Sequence, residues 1–222
     1  MKVDMHCHSW YSNDGNASPE ALILAAKRKG LDGIAITDHN TTKAWSEAIS
    51  ASKKHGFGLI LGQELKIKEN GKTIGEILAY FIKQEISPKG KTAKQIVDEI
   101  HAQNGIAIMA HPFNWKKPFH NPQSMKGLVD GSEAFNARSQ TAQGNKQAEQ
   151  FAKDNNFLFT AGSDCHSTFE IGNAYLESPA NNLEEFKNDL LNKRVKVVGK
   201  QSGWIVQIFA FTGKVRNLFW KP

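Results

Sequence analysis

The 222-residue chain is 40% hydrophobic and 23% charged, which excludes a disordered polymer and leaves ample length for one large domain with a real core. No apolar run is long enough to span a bilayer, and Met1-Lys2 leads into a short strand pattern instead of a signal-peptide core, so a cytoplasmic protein is expected. The net charge of +6 is uneven: residues 190–222 hold seven basic side chains and no acidic one, leaving 21 of the 28 basic residues against all 22 acidic ones in residues 1–189. The basicity belongs to the tail and says little about the ligand of the main body.

Strand and helix patterns alternate from the start. "KVDMHCH" reads as a strand, and its period of two puts Asp4, His6 and His8 on one face and Met5 and Cys7 on the other. "SPEALILAAKRKG" predicts a helix with Ser18 as N-cap, Pro19 at the first helical position and Gly30 past the end. "LDGIAITDH" follows as a strand, residues 42–55 as a helix and "FGLILGQELKI" as a strand. "ENGK" predicts a tight hairpin turn, with "TIGEILAYFI" as the return strand. Then come helix "TAKQIVDEIHAQN", strand "GIAIMAH", a loop "FNWKKPFHNP", strand "GSEAFNAR", a helix around "NKQAEQFAKDNN" and strand "FLFTAGSDCH". "NAYLES", helix "NLEEFKNDLLNKR" and strand "VKVVG" complete a body of residues 1–200.

This alternation predicts a mostly parallel sheet covered by helices, and both an open doubly wound sheet and a closed or distorted barrel satisfy it. The tail, residues 201–222, is separate. On a helix, Trp204, Ile208, Phe211, Val215 and Leu218 fall on one face, with Lys214 and Lys221 opposite. That predicts an amphipathic C-terminal helix docked on the body or on a second copy of the chain, with peripheral membrane contact as the alternative.

Polar clusters sit where the strands end: His6 and His8, Asp38 and His39, Glu64, His111, Asn136 and Arg138, Asp164 and His166, with Glu76 on the hairpin return strand. Five of the eight histidines fall at such ends, and barrel enzymes gather their chemistry there, so the motif positions favour the barrel. Imidazoles and carboxylates in this mixture suit Zn, Mn or Fe(II) better than a structural thiolate site. So many ionisable groups would repel or neutralise one another without cations between them. Cys7 and Cys165, in "HCH" and "DCH", alternate away from the ligand face and read as reduced packing residues; a disulfide is the alternative if their strands are neighbours.

In this order, "DMHCHSWYSNDG", "GLDGIAITDHN", "GQE", "AHPF" and "AGSDCHS" resemble the polymerase-and-histidinol-phosphatase (PHP) superfamily of metal-dependent phosphoesterases, over about residues 1–200. The resemblance implies a distorted seven-stranded (β/α) TIM-like barrel with its metal site at the C-terminal ends of the strands, and a free-standing phosphoesterase too short to hold a polymerase. It implies that His6 and His8 bind one metal with Glu64 and Asp164, and that Glu64 bridges to a second held by His111. Asp14, His39 and His166 would surround a further one. Glu76 stands where three-metal relatives often carry histidine, and a carboxylate there favours harder ions such as Mn over Zn. Two or three divalent ions (Mn, Zn or Fe) are therefore expected. Metals about 3.5–4 Å apart would activate a shared water, so no serine or cysteine nucleophile is required.

Asp164, His166 and Arg138 are the candidate catalytic residues. Arg138, two residues beyond Asn136 on the same strand face, is expected either to clamp phosphate or to make a barrel-rim salt bridge. Lys117 and His120 of the loop after His111 are further candidates for substrate binding. The expected substrate is a phosphorylated small molecule, a nucleotide or an oligonucleotide end. A non-catalytic PHP-like binding domain and metal-dependent C–N hydrolysis are the competing readings.

Overall fold

A computed structural model describes residues 1–139, 141–203, 212, 215 and 216. Nine strands form one sheet: β1 (Lys2–Cys7), β2 (Gly33–Ile36), β3 (Gly58–Glu69), β4 (Lys72–Tyr80), β5 (Ile106–Met109), β6 (Gly131–Asn136), β7 (Leu158–Gly162), β8 (Ala174–Glu177) and β9 (Lys196–Gly199). Among the described residues of 1–203, five α-helices join them: α1 (Pro19–Arg28), α2 (Trp45–His55), α3 (Ala93–Ala102), α4 (Ala142–Asp154) and α5 (Leu183–Leu191). Local chemistry accounts for several boundaries. Ser18 Oγ accepts from the Ala21 amide at the start of α1, and Thr92 and Gln95 form a reciprocal capping box on α3. α4 starts a turn earlier than "NKQ" suggested, because Thr141 caps it by accepting from the Gly144 amide. Asn70 and Gly71 both have positive φ (50° and 76°), the geometry that lets a two-residue turn follow the twist of its strands.

The strand order is β7-β6-β5-β4-β3-β2-β1-β8-β9, so the sheet has nine strands, not the seven of the implied barrel. β1 to β7 lie side by side in chain order, while β8 pairs antiparallel with β1 and carries β9 beyond it. Nor is the sheet mostly parallel. The β3–β4, β4–β5, β1–β8 and β8–β9 pairs are antiparallel and the other four parallel, since the short "ENGK" turn cannot make the crossover a parallel neighbour needs.

The far edge, β7, returns to β1. Cys7 and Cys165 form a parallel bridge, and a Cβ on Gly162 would lie 2.2 Å from His6 Cβ, so only glycine permits this approach. The result is a nearly closed, barrel-shaped sheet. Its interior joins Val3 and Met5 of β1 to Leu78 and Tyr80 of β4, Ile108 of β5 and Ala161 of β7, with Phe186 and Leu190 of α5 closing one end. Strands that far apart in the order share a cluster only if the sheet curls. Helices α1 and α2 cover β2 outside, and α3 and α4 cover β3 to β5. Each fully buried Leu, Ile or Met contributes about 1.5–3 kcal/mol to holding these layers.

Most of the tail expected to be an amphipathic helix lies outside the described residues, and with it any membrane or subunit contact made by Trp204, Ile208, Phe211 or Leu218. Among the described residues, no helix is long and apolar enough to cross a membrane.

Candidate metal centre

β1, β2, β3, β5, β6 and β7 run in one direction, so their C-terminal ends collect at one rim. His6 comes from β1 and His8 from just beyond it. His39 follows β2, His111 follows β5, and Asp164 and His166 follow β7. Glu64 sits within β3 and Glu76 within antiparallel β4, while Asp14 reaches in from the loop after β1. All nine are buried except Asp164 and His39, which are nearly so. His111 and Asp164 have positive φ (27° and 52°), a conformation side chains other than glycine avoid, and neighbours hold them in it. Glu133 Oε2 accepts from the His111 amide at 2.9 Å, and Asn136 Nδ2 donates to Asp164 Oδ2 at 3.3 Å.

The side chains converge. His6 Nε2 and His8 Nε2 are 3.0 Å apart, and His8 Nε2 lies 3.4 Å from both Glu64 Oε2 and Asp164 Oδ1. His111 Nε2 lies 3.1 Å from Glu64 Oε1 and 3.4 Å from Glu76 Oε2. Asp14 faces His166 Nε2 at 3.2 Å and His39 Nε2 at 3.7 Å. Three donor sets bring their atoms within 4.8 Å of one another: His6, His8 and Asp164; His8, His39 and His166; and His39, Glu64 and Glu76.

These groups do not satisfy each other as an ordinary polar network would. Asp14 Oδ1, His39 Nδ1, Glu64 Oε2, both Glu76 oxygens and His111 Nδ1 are buried without a hydrogen-bond partner. His39 Nδ1 is only 2.7 Å from Glu64 Oε2, yet the pair lacks hydrogen-bond geometry. Buried polar atoms are normally paired, so a crowd of orphaned donor atoms aimed at common points fits divalent cations. Without cations the charges are compensated by protons. Burial opposes charge on His39 and His111, but Glu64 with Asp14, and Glu64 with Glu76, overcome it and raise the two to about 10 and about 9. Burial likewise opposes charge on His6, and Glu133, Asp164 and Glu64 raise it well above the usual range. His8 goes the other way, down to about 3, through burial and repulsion from His39 and His166. Burial works to raise Glu64 and Asp164, yet the imidazolium groups hold both carboxylates well below their ordinary range.

The centre opens into a cavity of about 240 Å³ lined also by Asn114, Lys116, Lys117 and Arg138. Lys117 is exposed at the cavity mouth, and there the loss of hydration is outweighed by Glu76, Glu64, Asp164 and Asp14, which raise its pKa. Arg138 lies in the turn after β6, not on the strand face, and its guanidinium donates to Glu170 Oε1 at 2.8 Å while lining the cavity. His120 is not brought to the centre: it is exposed, and its amide pairs with the Ile74 carbonyl. Nor does Asp4 join His6 and His8. A bulge interrupts the β1–β2 register between Asp4 and Cys7, and the Asp4 carboxylate accepts from the amides of Ser163, Gly172 and His6. Cys7 and Cys165 are neighbours, as the disulfide alternative required, but both are free, buried thiols.

Two further carboxylates support the centre from behind: Glu133, missed in the sequence, and Asp38, seen there only as part of a strand-end cluster. Glu133, 1% exposed, faces His6 Nδ1 at 3.0 Å through Oε1, while Oε2 accepts from the His111 amide and from Asn136 Nδ2 (3.0 Å). Asp38 accepts from the amide and hydroxyl of Ser9, both at 2.6 Å, and burial pushes its pKa up to about 6. An acidic residue inside the strand "GSEAFNAR" was the available signal for Glu133; its partners were not.

Fold and site together define a barrel-shaped α/β protein with a buried His/Asp/Glu centre suited to divalent cations. The PHP domain family model matches residues 4–215, and the chain belongs to that family. An uncharacterized protein of Methanocaldococcus jannaschii is 32% identical over 147 residues, covering 62% of this chain and 82% of that one. A two-domain Bacteroides vulgatus protein containing a predicted PHP-like metal-dependent phosphoesterase superposes with a TM-score of 0.74 at 20% identity, over 96% of this chain and 69% of that one. A lesion-specific endonuclease from Pyrococcus furiosus superposes with a TM-score of 0.63 at 17% identity, over 88% of this chain and 57% of that one. At these identities the two structures share the fold.

Proposed function

We propose that this chain is a metal-dependent phosphoester hydrolase. The observation that carries the reading is the convergence of nine donor side chains, several with orphaned atoms, beside a cavity edged with cationic groups. His6, His8, Glu64 and Asp164 would hold one cation, Glu64, Glu76 and His111 a second, and Asp14, His39 and His166 a third. Bound there, divalent cations acidify water and neutralise charge on a phosphoryl group. Lys117 faces the same space and would bind a non-bridging phosphate oxygen. Arg138 would do so by sharing its guanidinium between Glu170 and the substrate. Asn136 orients the Asp164 carboxylate, and Glu133 orients His6 by holding its Nδ1 proton, which leaves Nε2 free for a cation. The buried surroundings keep bulk water away and strengthen each of these contacts.

The description of the Pyrococcus furiosus relative as an endonuclease supports phosphodiesters as well as monoesters among the substrates to be tried. The test is a panel of phosphorylated metabolites, nucleotides, short oligonucleotides and chromogenic mono- and diesters, each with Mn, Zn or Fe(II). Hydrolysis that needs metal and is abolished by His6→Ala or Asp164→Ala is the expected result. A purified protein that binds no cation, or turnover unchanged in both variants, overturns the proposal.

A further inference from the structure

A second, larger hollow opens beside the metal centre. Its volume is about 890 Å³, and its walls are the outer part of the β3–β4 hairpin and the 87–92 loop ahead of α3. Four lysines line it, Lys66, Lys68, Lys89 and Lys91, against one acidic residue, Glu69. Strand geometry aligns one of them with the centre. Along β3, Leu65 and Ile67 turn into the core, so Glu64 and Lys66 fall on the opposite face, about 6.7 Å apart. The β3–β4 register shifts between Ile67 and Lys68, and Lys68 follows beyond that irregularity, in the wall of the hollow with Lys89 and Lys91. Lys66 joins the two spaces, its Nζ 4.0 Å from Glu76 Oε1, and Asn40, in the hollow wall, follows His39 directly. Lys91 is paired with Glu99, but Lys68 and Lys89 are exposed and have no ion pair among the described residues. The remaining lining is of small residues, such as Asn70, Ser87, Pro88 and Thr92, and among the described residues it offers no aromatic side chain for a base to stack on.

We propose that this hollow binds the sugar-phosphate backbone of a single-stranded nucleic acid whose reacting phosphate lies at the metal centre. The inference rests on the phosphoesterase reading and names its substrate class. The succession of lysines and the continuity of the two spaces through Lys66 suit a linear chain of phosphates leading away from the reacting one. An isolated phosphomonoester would fill the 240 Å³ cavity and leave the lysines without a role. Because the contacts are to backbone alone, recognition is insensitive to base sequence and sensitive to salt. With three to four lysines engaged, log K falls with log[salt] at a slope of about −2 to −3 for a single strand.

The test uses the full chain with Mn, fluorescent single strands of about ten nucleotides in mixed sequence, and the Lys68→Ala/Lys89→Ala double variant. Neither residue touches the metal centre, so turnover of a small chromogenic phosphate ester is expected to stay at the wild-type value. Strand binding by fluorescence anisotropy is expected to weaken at least tenfold, with the salt slope shallower by about 1.4. Equal strand affinity or an unchanged salt slope in the double variant overturns the proposal. So does competition by poly-glutamate as strong as by unlabelled strand, which would make the groove a site for acidic protein. Failure of the parent reading looks different: no ester is hydrolysed by wild type, while the binding arm still reports on the groove.

Discussion

Replacing Glu133 by glutamine keeps its volume and removes its charge, and the geometry of its contacts sets the cost. The carboxylate faces donors only: the His6 ring through Oε1, and the His111 amide with Asn136 Nδ2 through Oε2. A glutamine has a single acceptor oxygen. If that oxygen turns to His111 and Asn136, the amide NH2 faces His6 Nδ1 and forces the tautomer with Nε2 protonated, closing Nε2 to a cation. If it turns to His6, the NH2 meets two other donors in a buried space, costing about 1–3 kcal/mol in unsatisfied groups. Either way, metal affinity is expected to fall about 10- to 100-fold, or about 1.4–2.7 kcal/mol. Competition with a chromogenic chelator at pH 7.5 measures this, and a melt of the metal-free variant checks that it is folded. Because Glu133 touches no substrate, activity is expected to return when metal is supplied in large excess. Affinity within twofold of wild type, or activity that excess metal cannot restore, would refute the reasoning.

The seam between β7 and β1 gives a second prediction: Gly162→Ala places a methyl 2.2 Å from His6 Cβ and is expected to cost about 1–3 kcal/mol or more, a fall in Tm of several degrees, with weakened metal binding. A variant that melts with wild type would mean that the barrel is open at this seam. Stability should also depend on pH in opposite senses with and without metal. In the metal-free protein His39 and His111 titrate near 10 and 9 against an unfolded value of about 6.5, so their stabilisation is complete below 6.5 and lost as pH rises through 9 and then 10. Cations displace those protons, so metal affinity should rise between pH 7 and 9 by up to tenfold per pH unit for each proton released. Parallel melting profiles with and without Mn would contradict this assignment. Finally, Arg138→Ala is expected to raise KM or lower kcat for phosphate esters at least tenfold while the metal content stays intact; loss of metal instead would make the Glu170 pair a purely structural tie.

The hydrophobic patterning of the sequence marked out eight of the strands and the five helices of the body, leaving "NAYLES" unassigned, and turn chemistry such as "ENGK" determined the hairpin. Those are local properties, decided by which face of each segment avoids water. The same local reading singled out His6, His8, His39, His111, Asp164 and His166, because a polar residue at the end of an apolar strand stands out; Glu64 was read as a strand end too, but β3 runs five residues past it. It set Asp4 on the face of His6 and His8, which the irregularity in β1 undid, and it could not place Arg138 beside Glu170 or His120 away from the centre. It gave no sign that Glu133 reaches His6, 127 residues away in the chain. Curling the sheet until Gly162 meets His6, attaching β8 and β9 beyond β1, and gathering the hairpin lysines with those of the 87–92 loop around one hollow were decided by tertiary structure alone. Each depends on which surfaces pack against one another once the strands exist, and no single segment contains that information.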